Sequence, residues 1–237
     1  MENDSPRKEY DQLAEIYDQI FCPDLDNDLL ITSLSNFLYS NYNMKKIFEV
    51  GVGTGNIIYN LNKLNKNFEL YGCDISPKMI EKAKEKCPTG NFYEEDVNYF
   101  DFQYYDTVVA VGGIFLRLSY ENKLNFLKKF TKNNTKLILG VRGFNNEPYN
   151  YNWTNSKDTK EYYRHNAKIK ETITWENYNI ELKTTEFTVN EKTITRYYKN
   201  YRISIDDTKD ILNNLRLKFE LKNPKETGYY ENLFIIN

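Results

Sequence analysis

The chain has 237 residues, 40% hydrophobic and 16% aromatic, with 32 Lys and Arg against 34 Asp and Glu for a net charge of −2. That length fits one α/β domain with an insertion or a small lid, and the apolar content can fill a core, which excludes global disorder. The near-neutral balance excludes the overall basic field expected of a nucleic-acid binder.

Residues 10–21 carry Tyr10, Leu13, Ile16, Tyr17 and Ile20 at helical spacing. A second helix is expected over 26–39, opening near Asp24-Leu25-Asp26 and carrying Leu29, Leu30, Leu34, Phe37 and Leu38. Residues 46–50 read as the first strand. Helix and strand then alternate. A helix covers 54–64 and a strand 68–73. A helix to Lys86 opens with Ser76 as cap and Pro77 in its first position. A short strand spans 91–94. Residues 105–111 form a continuous apolar strand of the kind buried in a parallel sheet. Ser119 caps a helix to Thr131, and 136–141 is another strand. This order predicts an α/β fold, a doubly wound and mostly parallel sheet with right-handed crossovers.

The pattern changes after Arg142. Residues 145–155 form an Asn-, Tyr- and Pro-rich loop, and from 167 to 204 the period becomes two. Thr193, Thr195, Tyr197 and Tyr201 alternate with Ile194, Arg196, Tyr198 and Arg202, and Val189-Asn190-Glu191-Lys192 reads as a hairpin turn. Three antiparallel strands are expected here. A helix over 206–215 and a strand pair over 217–221 and 229–236, around Pro224 and Gly228, complete the chain. Cys22, Cys73 and Cys87 have no metal-type spacing and form an odd set for a disulfide framework, which points to a reducing cytoplasm. The start, Met1 to Arg7, is polar without an apolar signal core, and no run is long enough to span a bilayer.

The chemistry concentrates in Ile47-Phe48-Glu49-Val50-Gly51-Val52-Gly53-Thr54-Gly55-Asn56. A β-prone segment ends in alternating glycines, which permit φ > 0 and let a ligand approach bare backbone. A dinucleotide loop reads G-x-G-x-x-G, and Asn56 stands where its third glycine belongs. Glu49, just ahead of the loop, would repel a pyrophosphate and suit an ammonium or sulfonium. Asp74 ends the second strand, where an acid accepts hydrogen bonds from ribose hydroxyls. Glu95-Asp96-Val97 follows the third strand, where an acid can accept the adenine amino proton and the next N–H can meet a ring nitrogen. Asp106 precedes the fourth strand, which leads toward the point where an acceptor would lie.

This ordered set resembles the class I S-adenosylmethionine-dependent methyltransferases. The likeness runs from Lys45 to Val141 through Glu49-Val-Gly-Val-Gly-Thr-Gly55, Asp74-Ile-Ser-Pro-Lys-Met-Ile80, Glu95-Asp96-Val97 and Tyr105-Asp106-Thr-Val-Val-Ala-Val111. It implies a seven-stranded Rossmann-like sheet whose last strand runs antiparallel. Leu13-Ala14-Glu15-Ile16-Tyr17-Asp18-Gln19-Ile20-Phe21 and the inserted strands are similar to the small-molecule group containing glycine N-methyltransferase and the dTDP-aminosugar N,N-dimethyltransferases. By that resemblance residues 1–43 are a helical cap over the cofactor, 44–145 with 205–237 the core, and 146–204 a wall of the acceptor site. The cofactor would be S-adenosyl-L-methionine, held by Tyr10, Tyr17, Glu49, Gly51, Gly53, Gly55, Asp74, Ile75, Met79, Asp96, Val97 and Val111.

The chain departs from that group after the fourth strand, where Val111-Gly112-Gly113-Ile114-Phe115-Leu116-Arg117 places Arg117 in the position of a family histidine. Arginine stays protonated, so it suits a phosphate or carboxylate and not a base. Arg142, Arg196 and Tyr198 join it as acceptor-binding candidates, and Arg164 and Arg202 are further cations nearby in sequence. His165, the single histidine, is the candidate base in a lid, with Arg117 and Tyr17 the other candidate catalytic groups. The expected reaction is direct methyl transfer to N or O of a small anionic acceptor, phosphorylated or nucleotide-linked, with sugars included. The expected setting is a cytoplasmic monomer or homodimer with no metal, nucleic-acid or membrane partner. A non-catalytic subunit of the same fold and an NAD-type oxidoreductase remain alternatives. No N-P-P-Y-type run follows the fourth strand to suggest a nucleic-acid methyltransferase.

Overall fold

A computed structural model describes residues 5–132, 134–142, 157–177 and 180–237, so the loop expected at 145–155 lies outside the described residues. The N-terminal segment forms two helices, α1 (Ser5–Leu13) and α2 (Tyr17–Phe21), where one was expected. The break is a turn closed by the Ala14 N–H on Tyr10 O and the Ile16 N–H on Leu13 O, both at 3.0 Å. Apolar residues of both halves still reach one cluster, which is why their spacing reads as a single helix. The next helix also opens later than expected. Asp24 caps only a 3-10 turn at Leu25–Asn27, and Asp28 caps α3 (Leu29–Asn41) through the Ile31 N–H at 2.9 Å.

Alternation then proceeds through β1 (Lys46–Val50), α4 (Asn56–Leu64), β2 (Glu69–Asp74), α5 (Pro77–Lys86), β3 (Asn91–Glu94), β4 (Thr107–Ala110), the short α6 (Ile114–Arg117), α7 (Tyr120–Lys128) and β5 (Lys136–Val141). Ser76 and Ser119 cap α5 and α7 as their sequence positions predict. An inserted sheet follows: β6 (Asp158–Arg164), β7 (Ala167–Asn177), β8 (Ile180–Val189) and β9 (Lys192–Tyr201). The chain closes with α8 (Ile205–Asn214), β10 (Phe219–Lys222), α9 (Pro224–Thr227) and β11 (Asn232–Ile236).

Seven strands form the main sheet in the order β10-β11-β5-β4-β1-β2-β3. Strands β1 to β5 pair in parallel, and β11 inserts antiparallel between β5 and β10. Side chains alternate across a strand, so both faces of this sheet must be covered. Phe48, Val108, Leu137 and Phe234 pack with α6, α7 and α8 on one face. Ile47, Val109, Ile138 and Ile235 pack with α3, α4 and α5 on the other. The parallel strands therefore all deliver their carboxyl ends to one edge.

The three antiparallel strands expected over 167–204 are β7, β8 and β9, and among the described residues β6 adds an unexpected strand ahead of them, in the order β6-β7-β8-β9. Strand β6 escapes the sequence pattern because every one of its residues is exposed. It gains none of the roughly 1.5–3 kcal/mol that a fully buried apolar side chain contributes, so it is held mainly by its ladder with β7. Asn190 (φ 48°) and Glu191 (φ 64°) close the β8–β9 hairpin in the left-handed pair that matches strand twist. Ala167, Ile169, Phe187 and Val189 of this sheet pack on Leu13 and Ile20 of the N-terminal helices and on Met79 of α5. The N-terminal helices are thus clamped between the inserted sheet and the main domain.

Candidate active site

A cavity of about 1240 Å³ opens at the carboxyl edge of the main sheet, under the N-terminal helices and the inserted sheet. Segments following β1, β2, β3, β4 and β5 all contribute to its wall. Gly51, Gly53, Asp74, Asp96, Gly112 and Arg142 represent them.

The loop after β1 turns through left-handed backbone at Gly51 (φ 65°), Gly53 (φ 54°) and Gly55 (φ 82°). A Cβ on Gly51 would overlap the Ile114 side chain. On Gly53 it would meet nothing nearer than Gly51 O at 4.0 Å, so bare backbone there faces open space. Gly55 departs from the expected ligand contact. It caps α4, does not line the cavity, and brings the loop within 3.1 Å of Ala83 Cα, measured from its would-be Cβ. Its task is close packing of α4 on α5.

Asp74 braces the loop. Its Oδ2 accepts the Gly53 N–H at 3.0 Å and its Oδ1 the Ser76 N–H at 2.9 Å. Burial outweighs these bonds and pushes its carboxyl up to about 6. Glu49 is 5% exposed, and its Oε2 meets no hydrogen-bond partner among the described residues. Burial drives its pKa well above the usual carboxylate range, with Asp74 adding to the rise. Asp96 Oδ1 accepts the Asn98 N–H at 2.8 Å beside Val97. Asn98, which sequence reasoning missed, also lines the cavity, and its Oδ1 has no partner among the described residues. Asp106 is not at this edge. It precedes β4, and its Oδ2 accepts the Lys46 N–H at 2.8 Å, tying the amino ends of two strands.

Two carboxylates on the N-terminal helices pin them to this cradle. Asp11 accepts the Ser76 hydroxyl at 2.6 Å. Asp18 accepts the Thr54 hydroxyl at 2.6 Å, the Asn56 amide at 3.2 Å and the Lys86 ammonium at 2.6 Å, and Lys86 also bonds Asn56 Oδ1. The residue standing at a dinucleotide loop's third glycine therefore fastens the cap. Tyr10 and Tyr17 of these helices line the cavity, as do Ile75, Met79 and Val111.

The remaining wall is cationic and aromatic. Arg117 Cζ lies 3.8 Å from the Tyr198 ring centroid, and its Nη1 donates to Asn200 Oδ1 at 2.7 Å. Asn200 in turn donates to Glu181 at 2.6 Å, which fixes the arginine's direction. Arg196 is 5% exposed, sits 4.2 Å from the Tyr10 centroid and 4.9 Å from that of Tyr198, and leaves its Nε without a hydrogen-bond partner among the described residues. Arg142 lines the same cavity but is already paired, 3.3 Å from Glu231 Oε1 and 3.3 Å from the Tyr230 hydroxyl. Glu231 is fully buried and also accepts the Gly112 N–H at 2.9 Å. Tyr229, Tyr230 and Glu231 escaped sequence reasoning. The available signal was direction: β11 runs antiparallel, so residues just before it fall at the carboxyl edge of the parallel strands.

Two expected residues do not join the site. His165 occupies the left-handed position (φ 51°) of the exposed β6–β7 turn and does not line the cavity, so no base role follows from its position. Arg202 lies beyond β9 with its guanidinium 4.7 Å from the Trp175 ring and 3.9 Å from Glu181, also off the cavity. Arg164 is nearer: it lines the cavity and donates to Phe21 O at 3.3 Å.

The sheet order, the glycine loop and the ligand edge together define a class I, Rossmann-like methyltransferase fold. Residues 47–133 match the family described as Methyltransferase domain. Release factor glutamine methyltransferase from Dictyoglomus turgidum is 33% identical over 90 residues, 38% of this chain and 31% of that protein. The chain spans about a third of the length of the curated relatives it matches. Among solved structures, the CcbJ methyltransferase from Streptomyces caelestis superposes with a TM-score of 0.77 at 14% identity, covering 97% of each chain. CalS10, an amino pentose methyltransferase from Micromonospora echinaspora solved with S-adenosylmethionine bound, superposes at 0.68 and 11% identity, covering 95% of this chain and 96% of that one.

The cofactor that goes with this domain is S-adenosyl-L-methionine, and the cradle fits it. The unpartnered Glu49 Oε2 is an acceptor for an ammonium, Asp74 offers carboxylate oxygens to a diol, and Asn98 and Asp96 offer acceptors to an exocyclic amine. Gly53, with left-handed backbone, presents bare main chain to the open cavity.

Proposed function

We propose that this chain is an S-adenosyl-L-methionine-dependent methyltransferase (EC 2.1.1.-) acting on N or O of a small anionic acceptor, phosphorylated or nucleotide-linked, with sugars the leading group. One observation carries the reading. A cradle with a buried, unpartnered Glu49 oxygen and a cationic wall with a buried, unpartnered Arg196 Nε face the same cavity. Each half is short of one partner of opposite charge.

When bound, the cofactor supplies an electrophilic methyl group on a sulfonium. The protein's part is alignment and exclusion of water, and alignment can contribute about 7–11 kcal/mol. Gly51 and Gly53 would admit the methionine and ribose portions, Glu49 would take the ammonium, Asp74 the ribose and Asp96 with Val97 the adenine. Tyr10 and Tyr17 would roof the methionine end. Arg117 and Arg196, stacked with Tyr198, would hold the acceptor's anion. The structural relatives that support a sugar acceptor are CalS10 and a sugar N-methyltransferase from Streptoalloteichus, both similar in fold alone. In this proposal residues 1–43 act as the cap and 146–204 as the acceptor wall. Three free, buried cysteines support a reducing, cytoplasmic setting.

The test is calorimetric. Wild-type protein should bind S-adenosylhomocysteine and not NAD, and Arg117→Ala should keep that affinity while losing affinity for phosphorylated sugars. A phosphorylated acceptor held equally by both proteins would remove the anionic-acceptor reading, and preferential binding of NAD would remove the methyltransferase reading.

A further inference from the structure

Two tyrosines on adjacent helices, Tyr10 and Tyr17, line the cavity within the field of Arg196. Tyr10, on α1, lies beneath the Arg196 guanidinium, whose Cζ is 4.2 Å from the ring centroid and which also interacts with the phenol oxygen. Arg196 and Arg117 are linked through the Tyr198 ring, giving an alternating stack of Tyr10, Arg196, Tyr198 and Arg117. The charged and titratable groups bearing on Tyr10 come from every neighbouring element. Strand β9 supplies Arg196 and Tyr198, and α6 supplies Arg117. Strand β2 supplies Asp74, which acts in the opposite sense, and α2 supplies the Tyr17 phenol. From α5 the cavity receives the uncharged Met79.

Burial makes a phenol harder to ionise, and at Tyr17 burial and then the neighbouring Tyr10 phenol outweigh Arg196 and raise the pKa. At Tyr10 the same burial is outweighed by Arg196 and then Arg117, and the pKa falls below its ordinary value. Neighbouring groups pushed in opposite directions mark a division of acid and base roles. Of the other acids lining the cavity, Asp74 braces the loop, Asp96 caps a turn and Asp28 caps α3, Glu171 pairs with Lys183, Glu95 accepts the Asp96 N–H, and Glu49 is assigned to the cofactor's ammonium; Glu9 lines the cavity beside Tyr10 on α1.

Building on the methyltransferase reading, we propose that Tyr10, stacked against the Arg196 guanidinium at the end of this array, is the group that accepts the acceptor's proton. An N–H or O–H nucleophile loses one proton for each methyl it gains. Its electron pair forms the new bond to carbon, the C–S pair stays on sulfur, and the proton passes to Tyr10 Oη and then to solvent. The two arginines thereby serve both the acceptor's anion and the base beside it.

The test is an ultraviolet titration of tyrosinate in the full chain without ligand, comparing wild type, Tyr10→Phe and Arg196→Gln. Wild type should show one phenol ionising below the ordinary value of about 10. Tyr10→Phe should lack that phase, and Arg196→Gln should move it upward. Arg117→Gln, which leaves the N-terminal helices intact, should move it upward by less and replaces Tyr10→Phe if that variant does not fold. Superimposable wild-type and Tyr10→Phe curves, or an early phase untouched by both arginine changes, would overturn the proposal. With a methylated acceptor in hand, Tyr10→Phe should lower kcat/KM about a hundredfold or more at neutral pH and remove the limb that rises with Tyr10 ionisation. An equal loss at every pH would mean a purely structural role. An early phenol in a protein that neither binds S-adenosylhomocysteine nor methylates anything removes the methyltransferase reading and, with it, the base role. A flat titration in an active enzyme removes the base role alone.

Discussion

Cofactor affinity should depend on pH through Asp74, and the size follows from its surroundings. Burial raises this carboxyl from 3.8 to about 6 in the ligand-free cradle. The folded value lies above the unfolded one, so ionising Asp74 costs stability. The cost is absent at acid pH, grows as pH rises past the unfolded value, and is complete above about 6, at about 3 kcal/mol. Ribose hydroxyls donate to the carboxylate and not to the acid, so binding favours ionisation and recovers part of that cost. A group with a value near 6 is about 90% ionised at pH 7 and about 10% at pH 5, so affinity should weaken about tenfold, or about 1.4 kcal/mol, over that interval. Glu49, also raised by burial, acts in the same direction because an ammonium prefers its ionised form. Calorimetry with S-adenosylhomocysteine between pH 5 and 8 measures the effect. Asp74→Asn should bind more weakly at pH 7 and lose the step near pH 6, leaving only the contribution of Glu49. Constant wild-type affinity from pH 5 to 7, or an unchanged step in Asp74→Asn, would refute the reasoning.

Gly51→Ala places a Cβ in left-handed backbone against Ile114, a cost of about 1–2 kcal/mol that urea unfolding should report as lost stability. Gly140→Ala drives a Cβ into the fully buried Glu231 carboxylate and within 3.1 Å of Val111 Cα, so urea unfolding should report about 1–3 kcal/mol of lost stability. Asp18→Ala removes the shared acceptor of Thr54, Asn56 and Lys86, and limited proteolysis should cut the N-terminal helices faster while the main sheet stays protected.

The main sheet was legible because its signals are local. Continuous apolar strands, serine caps and glycine turns each follow from a few neighbouring residues, and Asn91–Glu94 and Lys136–Val141 fall where the sequence places them. The inserted sheet was legible where its strands bury one face and illegible at β6, which buries none. The cofactor edge could be read because strand ends are numbered by the alternation itself. Groups that depend on long-range packing could not: Asp18 on the glycine loop, Glu231 beneath Gly112, and Glu181 acting on Arg117 through Asn200 lie far apart in the chain. Asp106 and Gly55 carry the opposite lesson. A residue next to a functional strand can face the wrong end of it, and a glycine in a ligand loop can be required by a helix behind it.

The central claim is methyl transfer from this cradle to an acceptor on the arginine wall. Its most direct test is mass spectrometry of reactions containing methyl-labelled S-adenosylmethionine and a panel of aminosugar nucleotides, phosphorylated metabolites and small amines. The account predicts label in one anionic acceptor with an equal amount of S-adenosylhomocysteine formed. Tight cofactor binding with no label in any acceptor would contradict it and mark a non-catalytic cofactor-binding subunit of the same fold.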